Sequence, residues 1–286
     1  MSIVRIASEQ LTVEVSSLGS EMMSMTTDDG ESWLWGGDAA FWAGRSPVLF
    51  PIVGRAPEDR VSVEGEGGPM MQHGFARRSE FELVDSGEDF CRFVLRAGPT
   101  SRMSYPFEFT LSLEHRVEGR RVRVMAEVSN DDERPMPFGF GFHPAFVWPL
   151  PGCEELEHRV SLDNGGEPAM LRLEDGLIVP EPLPSPFRGG ELTLASELFE
   201  ADAMVFAEGA GAGARYWAGD KAVRMIWENL PNFALWSKPG PFVCLEPWHG
   251  MAAVVGGSHE IAERPYAQVL GPGSTARFGF AVTLEG

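Results

Sequence analysis

The sequence predicts an all-β protein, a sandwich or barrel of antiparallel strands. Three observations carry that prediction. Apolar residues recur at every second position in run after run, the period of a strand with one buried face. The runs come in pairs joined by short connections containing Gly or Asp, as in hairpins. No stretch offers a dozen residues of helical periodicity with a cap at both ends.

The elements follow in chain order. "EFELV" and "FCRFVLR" flank "DSGED" and read as a first hairpin. "FEFTLSLEH" sets Phe107, Phe109, Leu111 and Leu113 on one face, and "RVRVMAEV" does the same with Val122, Val124, Ala126 and Val128. Between them "RVEGR" supplies a tight turn, with Gly119 free to take positive φ. "GGELTLASELFEAD" holds at most a turn or two of helix. "ARYWAGDKAVRMIWE" predicts another hairpin, turning at Gly219-Asp220, and "TARFGFAVTLE" predicts a closing strand. The Gly-rich stretches "GEGGP" (65–69) and "AEGAGAGA" (207–214) lie between strand-like runs and read as loops. The second is not followed by the Gly-Lys-Ser/Thr of a phosphate loop. No linker, composition shift or fixed-period repeat divides the chain, so residues 1–286 are read as one domain.

Composition narrows the function. A net charge of −19 repels phosphate backbones, so no nucleic-acid partner is expected. No window approaches the roughly 18 uninterrupted apolar residues of a membrane span. The N-terminus lacks the basic-then-apolar pattern of a signal peptide, and the expected location is cytoplasmic. Cys91, Cys153 and Cys244 are scattered, which favours neither a disulfide framework nor a zinc ribbon.

Four stretches mix polar chemistry with aromatic and rigid neighbours: "RSPVLFPIVGR" (45–55), "MQHGFARR" (71–78), "FGFGFHPAF" (138–146) and "LWSKPGPFVCLEPWHG" (235–250). His143 stands in an apolar strand, where a core histidine satisfied by one hydrogen bond is the plain alternative. Gly139 and Gly141 share its face by alternation, which leaves that face hollow beside the imidazole and open to a ligand. Glu246 lies within apolar "FVCLEPW". Burial there raises a carboxyl pKa towards the range of a general base at neutral pH, the alternative being a rim carboxylate in a surface ion pair.

In this order, "HGFARR", "FGFHPAF" and "EPWHG" resemble the aldose 1-epimerase (galactose mutarotase-like) family, in particular its smaller, less characterised bacterial branch. The resemblance runs from "LGSEMMSM" to the C-terminal strands. It implies a large antiparallel β-sandwich, a supersandwich, with an open concave sugar site. It also implies catalytic roles for His73, for His143 as general acid and for Glu246 as general base. Arg55, with Arg45 as the alternative, and Asp202 are then the residues that hold sugar hydroxyls. "RSPVLFPIVGRAPEDR" replaces the longer Gly-Arg-rich stretch of the better-known galactose mutarotases, which leaves the sugar open.

The chemistry of mutarotation suits these residue types. Opening a cyclic hemiacetal takes a proton from the anomeric hydroxyl and gives one to the ring oxygen, work for a carboxylate and an imidazolium. His143 and Glu246, on different strands, are expected to flank a sugar rather than pair directly. Trp236 or Trp248 offers it a flat apolar face. The expectation is a cofactor-independent isomerase acting on a small-molecule sugar, as a monomer or homodimer, without metal. Three alternatives stay open. One is a carbohydrate-binding or sensing protein of the same fold without catalysis. Another is an epimerase for hexose 6-phosphates, with Arg45, Arg55, Arg77 and Arg78 as a cationic patch. The third is a metal set of His73, His143, His249 and Glu246, which no HxH or HExxH spacing supports. No Gly-x-Ser-x-Gly elbow points to a serine hydrolase.

Overall fold

A computed structural model describes residues 1–286. Its largest element is a nine-stranded antiparallel sheet. Across it run Glu191–Thr193, Arg159–Leu162, Gly213–Ala218, Lys221–Glu228, Thr275–Glu285, Arg121–Asn130, Phe109–Glu118, Phe90–Arg96 and Glu82–Ser86. The alternation predicted for its middle strands is observed: Phe109, Leu111, Leu113, Val122, Val124, Ala126 and Val128 are all buried. The hairpins turn where expected, at Gly119 (φ 56°) and Gly219 (φ 59°). At one edge, Glu82–Ser86 is exposed on both faces, Leu83 and Val84 included. The register shifts between Leu83 and Asp85, a bulge of the kind that blunts an open edge.

A six-stranded sheet packs against this one. Met204–Phe206, Asn232–Trp236, Phe242–His249, Phe140–Phe142 and Val48–Leu49 lie side by side, and Ala145–Val147 also pairs with Phe242–His249. Its inner face joins the main core, a cluster of 62 buried residues running from Ile6 to Leu284. Aromatic contacts bridge the two sheets: Phe140 on Phe278 and Phe142 on Phe280, each with centroids 4.7 Å apart, and Trp227 stacked on Phe233 at 5.0 Å. Its outer face carries a second, smaller cluster that includes Leu49, Val205, Ala234 and Trp248. That face holds the site described below. A three-stranded sheet, Ile3–Ala7, Leu11–Ser16 and Met22–Thr27, completes the larger sheets. Helix is confined to short turns such as Ser196–Phe199 and Pro99–Arg102, and no helix is long and apolar enough to cross a membrane.

One predicted loop is a strand. Glu66–Pro69 of "GEGGP" pairs with Arg60–Val63. A Cβ on Gly67 would stand 2.0 Å from the Val61 carbonyl oxygen, and one on Gly68 2.5 Å from that of Met103. Gly67 permits close backbone approach within the hairpin, and Gly68 permits approach of the backbone at Met103, rather than marking a loop. "AEGAGAGA" is a loop until its last two residues, where the strand Gly213–Ala218 begins.

Candidate active site

The site is built on the strand Phe242–His249. Its odd-numbered residues Val243 and Leu245 enter the main core, so Cys244, Glu246 and Trp248 share the opposite face. The antiparallel register that sets Gly141 opposite Trp248 and Ala145 opposite Cys244 also sets His143 opposite Glu246. Directly opposed residues have Cβ atoms about 4.5–5.5 Å apart. Accordingly His143 Nε2 lies 3.2 Å from Glu246 Oε2. The two groups meet directly, against the expectation that they would only flank a sugar. The contact lacks hydrogen-bond alignment, and Glu246 Oε2, His143 Nδ1 and Trp248 Nε1 are buried without a hydrogen-bond partner in the protein.

On its other side Glu246 faces Ala234, a small residue that leaves space above the carboxyl. That space is part of a cavity of about 300 Å³, the lower end of the range for small-ligand sites. His73, His143, Asp202, Trp236 and Glu246, all predicted from sequence, line it together. Arg55 does not. Its Nε and a terminal nitrogen each donate to the Asp59 carboxylate at 2.8 Å, and the other terminal nitrogen donates to the Asp175 carbonyl. Arg55 and Asp59 stand four residues apart across the turn Pro57–Asp59, so the arginine is used locally. Arg45 is likewise absent from the lining. The arginine that enters is Arg77: the turn Ala76–Arg78 directs it inward while Arg78 donates to the Gly74 carbonyl at 2.9 Å. Arg77 has no ion-pair partner, so "HGFARR" carried the signal in its first arginine.

The hollow predicted beside His143 is filled by protein. A Cβ on Gly141 would lie 2.5 Å from Trp248 Cδ1, so the glycine makes room for the indole that walls the cavity. Sequence reasoning also missed Trp42. Its ring stacks on His143 with centroids 4.9 Å apart and 25° between planes, and meets Trp236 edge-on at 5.3 Å. The glycines around it, in "GGDAAFWAGRS", were the available signal: a Cβ on Gly44 would stand 2.5 Å from the Trp42 ring.

His73 is fixed by a two-way clamp. Its backbone N–H donates to the Gly54 carbonyl at 2.9 Å, and Gly54 N–H donates to its Nδ1 at 3.0 Å. Accepting at Nδ1 assigns the proton to Nε2, so His73 is a neutral donor. Burial holds its pKa well below the ordinary histidine value, with His143 and Arg77 adding to the effect. Asp202, with positive φ (65°), accepts at Oδ1 from Trp236 Nε1 and from Ala203 N–H, both at 2.9 Å. Its second carboxylate oxygen has no hydrogen-bond partner in the protein.

The central pair is strongly perturbed. Burial raises the Glu246 pKa well above the usual carboxylate range, and the Asp202 charge adds to this while Arg77 opposes it. Burial also holds His143 well below the ordinary histidine value, and Arg77 reinforces this. Groups in such close contact titrate as one coupled unit rather than independently. A carboxyl and an imidazole in contact, facing a cavity lined by the unpaired cations Arg77 and Lys238 and by a free carboxylate oxygen of Asp202, are equipped for acid–base work on a neutral polyol. His249 takes no part. It lies on the opposite face of its strand, with Nδ1 near the Asn229 carbonyl and the Gln268 amide. The four-residue metal set therefore does not assemble. The three cysteines are free and buried.

Comparison with known proteins bears on this arrangement. The protein is 27% identical to the chromosomal LacX protein of Lactococcus lactis subsp. lactis, over 98% of this chain and 99% of the relative. It is similar in fold to a galactose mutarotase related enzyme from Lactobacillus acidophilus, with a TM-score of 0.91 and 24% identity over 100% of this chain and 98% of the other. A galactose mutarotase-like protein from Lactobacillus casei superposes equally well, at 0.91 and 24% over 99% and 100%. Residues 2–167, more than half of the 286, match the aldose 1-epimerase family, and this chain belongs to that family.

Proposed function

We propose that the protein is an aldose 1-epimerase that interconverts the α and β anomers of a hexose or related aldose by acid–base ring opening. The observation that carries the reading is the buried Glu246–His143 pair, 3.2 Å apart on the wall of a sugar-sized cavity.

The contact between the two groups suits the chemistry. The anomeric hydroxyl and the ring oxygen are bonded to the same carbon, so acid and base must converge on neighbouring atoms. Residues facing each other across the whole ring could not reach both. In the cyclic sugar complex the pair acts as Glu246 carboxylate and His143 imidazolium. Glu246 takes the anomeric proton, the bond from C1 to the ring oxygen breaks, and His143 protonates that oxygen. The open-chain aldehyde then stands over a neutral carboxylic acid and a neutral imidazole. Rotation about C1–C2 presents the other carbonyl face. His143 then recovers its proton as the ring closes, and Glu246 returns its own to the new anomeric oxygen. One proton relocates within the pair and none is exchanged with solvent.

The balance between the two proton placements has an identifiable cause. Burial favours the uncharged pair, and Arg77 favours the carboxylate. Sugar hydroxyls donating to Glu246 add to the second side. A small gap between the two forms lets the proton move both ways without a deep trap. His73 Nε2–H and Arg77 are donors for sugar oxygens, the second oxygen of Asp202 is an acceptor, and Trp42 with Trp236 supplies an apolar wall.

A second reading is an epimerase for 6-phosphorylated hexoses. It is favoured by Arg77 and Lys238, the two cations that line the cavity without a carboxylate partner. Exchange NMR of anomers across common aldoses and their 6-phosphates tests both. Faster exchange of a free aldose supports the first reading and faster exchange of a phosphate the second. Binding without exchange for every sugar refutes catalysis and leaves a sugar-binding protein.

A further inference from the structure

We propose that His143, Cys244 and Glu246 form a binding site for a thiophilic divalent cation such as Zn²⁺, and that its occupancy shuts the epimerase down. A nitrogen, a sulfur and a carboxylate oxygen from the three residues lie within 4.8 Å of one another, and all three residues are buried. The donor set is of the kind zinc takes, and modest side-chain rotations bring the atoms to the ~2.0–2.3 Å bonds it forms. Two of the residues carry unmet demand: Glu246 Oε2 and His143 Nδ1 have no hydrogen-bond partner although both residues are almost wholly buried. Strand geometry accounts for the trio. Cys244 and Glu246 share one face two residues apart, and His143 lies opposite Glu246. His143 and Glu246 line the cavity whereas Cys244 does not, so the cation enters from the cavity and the thiol is its inner ligand. The fourth position then faces the cavity and is open to water or a sugar hydroxyl.

Charge balance favours such a site. Thiolate and carboxylate ligands together offset the two positive charges of the cation, so the neighbouring Arg77 is not opposed by a new surplus of positive charge. The other charged groups facing the trio are Asp202 and, at the cavity edge, Lys238, while His73 is neutral. A cation held by Glu246 and His143 occupies both the proposed base and the proposed acid, which stops catalysis. The inhibition, unlike the binding, rests on the reading of Glu246 and His143 as base and acid.

Cobalt is the probe, because a thiolate bound to Co²⁺ gives a charge-transfer absorption in the near ultraviolet. The parent protein titrated with Co²⁺ should develop that band, and Cys244→Ala should not, with Cys91 and Cys153 retained in both. Zn²⁺ should inhibit anomer exchange, EDTA should restore it, and Cys244→Ala should need at least tenfold more Zn²⁺ while exchanging at the parental rate without metal. A parent without the band, or a Cys244→Ala variant that keeps it, overturns the site. If Cys244→Ala does not fold, Cys244→Ser in the same Co²⁺ titration decides, and a band it keeps at parental strength overturns the site. The Co²⁺ titration needs no turnover. A band without sugar exchange therefore sinks only the epimerase reading, and exchange without a band sinks only the metal site.

Discussion

Replacing Gly141 by Ala tests whether the cavity wall is held as tightly as described, and Gly139→Ala is its control. Neither glycine has positive φ, so alanine costs no backbone strain at either position. The surroundings differ. A Cβ on Gly141 meets Trp248 Cδ1 at 2.5 Å, Trp248 Cγ at 3.2 Å and Leu49 Cδ1 at 3.3 Å. The Trp248 indole is 5% exposed and cannot swing into solvent. Overpacking of this kind costs about 1–3 kcal/mol. At roughly 2–4 °C of Tm per kcal/mol for a chain of this order, the melting temperature should fall by several degrees. Activity should fall further than stability explains, because Trp248 lies two residues from Glu246 on the same face. A displacement near a reacting centre costs up to about a hundredfold. The nearest neighbours of a Cβ on Gly139 are at 3.5–3.7 Å, ordinary contact. Gly139→Ala should be neutral or gain about 0.4–1 kcal/mol from the stiffer unfolded chain. Circular dichroism melts and exchange NMR on the same samples provide the comparison. Equal Tm values and equal rates for the two variants would refute the packing argument.

Other outcomes follow from the same geometry. Arg77→Met should raise KM for the confirmed sugar at least as strongly as Asp202→Ala, whereas Arg55→Ala should leave both KM and kcat parental; steady-state kinetics on the three variants checks this. Trp42→Ala removes the ring stacked on His143 and should lower kcat/KM by roughly two- to tenfold, the size of one aromatic contact of ~0.5–1.5 kcal/mol; a parental value contradicts the role given to the stack. Glu246 has a folded-state pKa raised above the ordinary 4.5, so its contribution to stability is full below that value and is lost as pH rises towards the folded one. Against Glu246→Gln, the parent should lose up to about 1.4 kcal/mol per pH unit through that window in urea titrations, and a constant difference contradicts the burial of the carboxyl. His73, with its folded pKa depressed, has the opposite sign: its contribution is full above 6.5 and is lost as pH falls below it, a loss that His73→Asn should remove. We read the main core, which runs from Ile6 to Leu284, as that of one domain; calorimetry should then give a single cooperative transition, and two separated transitions contradict it.

The β-sheet architecture was legible because strand alternation is a local signal. Phe109 to Leu113 and Val122 to Val128 bury the faces their spacing announces. The exposed edge Glu82–Ser86 shows the limit: "EFELV" has a core strand's composition, and only its place at the end of the sheet leaves Leu83 and Val84 in solvent. The glycines of "GEGGP" show another, since Gly in a loop and Gly under a neighbouring backbone read alike until the neighbour is known. Five candidate residues were legible from local oddity and motif, and the structure brings them to one cavity. Their mutual contacts were not. The 3.2 Å approach of His143 to Glu246 depends on the pairing of strands about a hundred residues apart, a register that no local pattern encodes. The choice between Arg55 and Arg77 had the same character. Both sit beside Gly- or Phe-rich motifs, and only the ion pair with Asp59 removes the first from consideration.

The central claim is that Glu246 and His143 exchange one proton with the two oxygens of an anomeric carbon. Its most direct test is anomer exchange measured by NMR on the parent, Glu246→Gln and His143→Asn, with sugar binding measured on the same proteins by calorimetry. The account predicts that both variants fold and bind the sugar but exchange anomers about 10²–10⁴-fold more slowly than the parent. It also predicts that the double variant is little slower than either single one, because the two groups act as a unit. A variant that folds, binds and still exchanges anomers at the parental rate would contradict it.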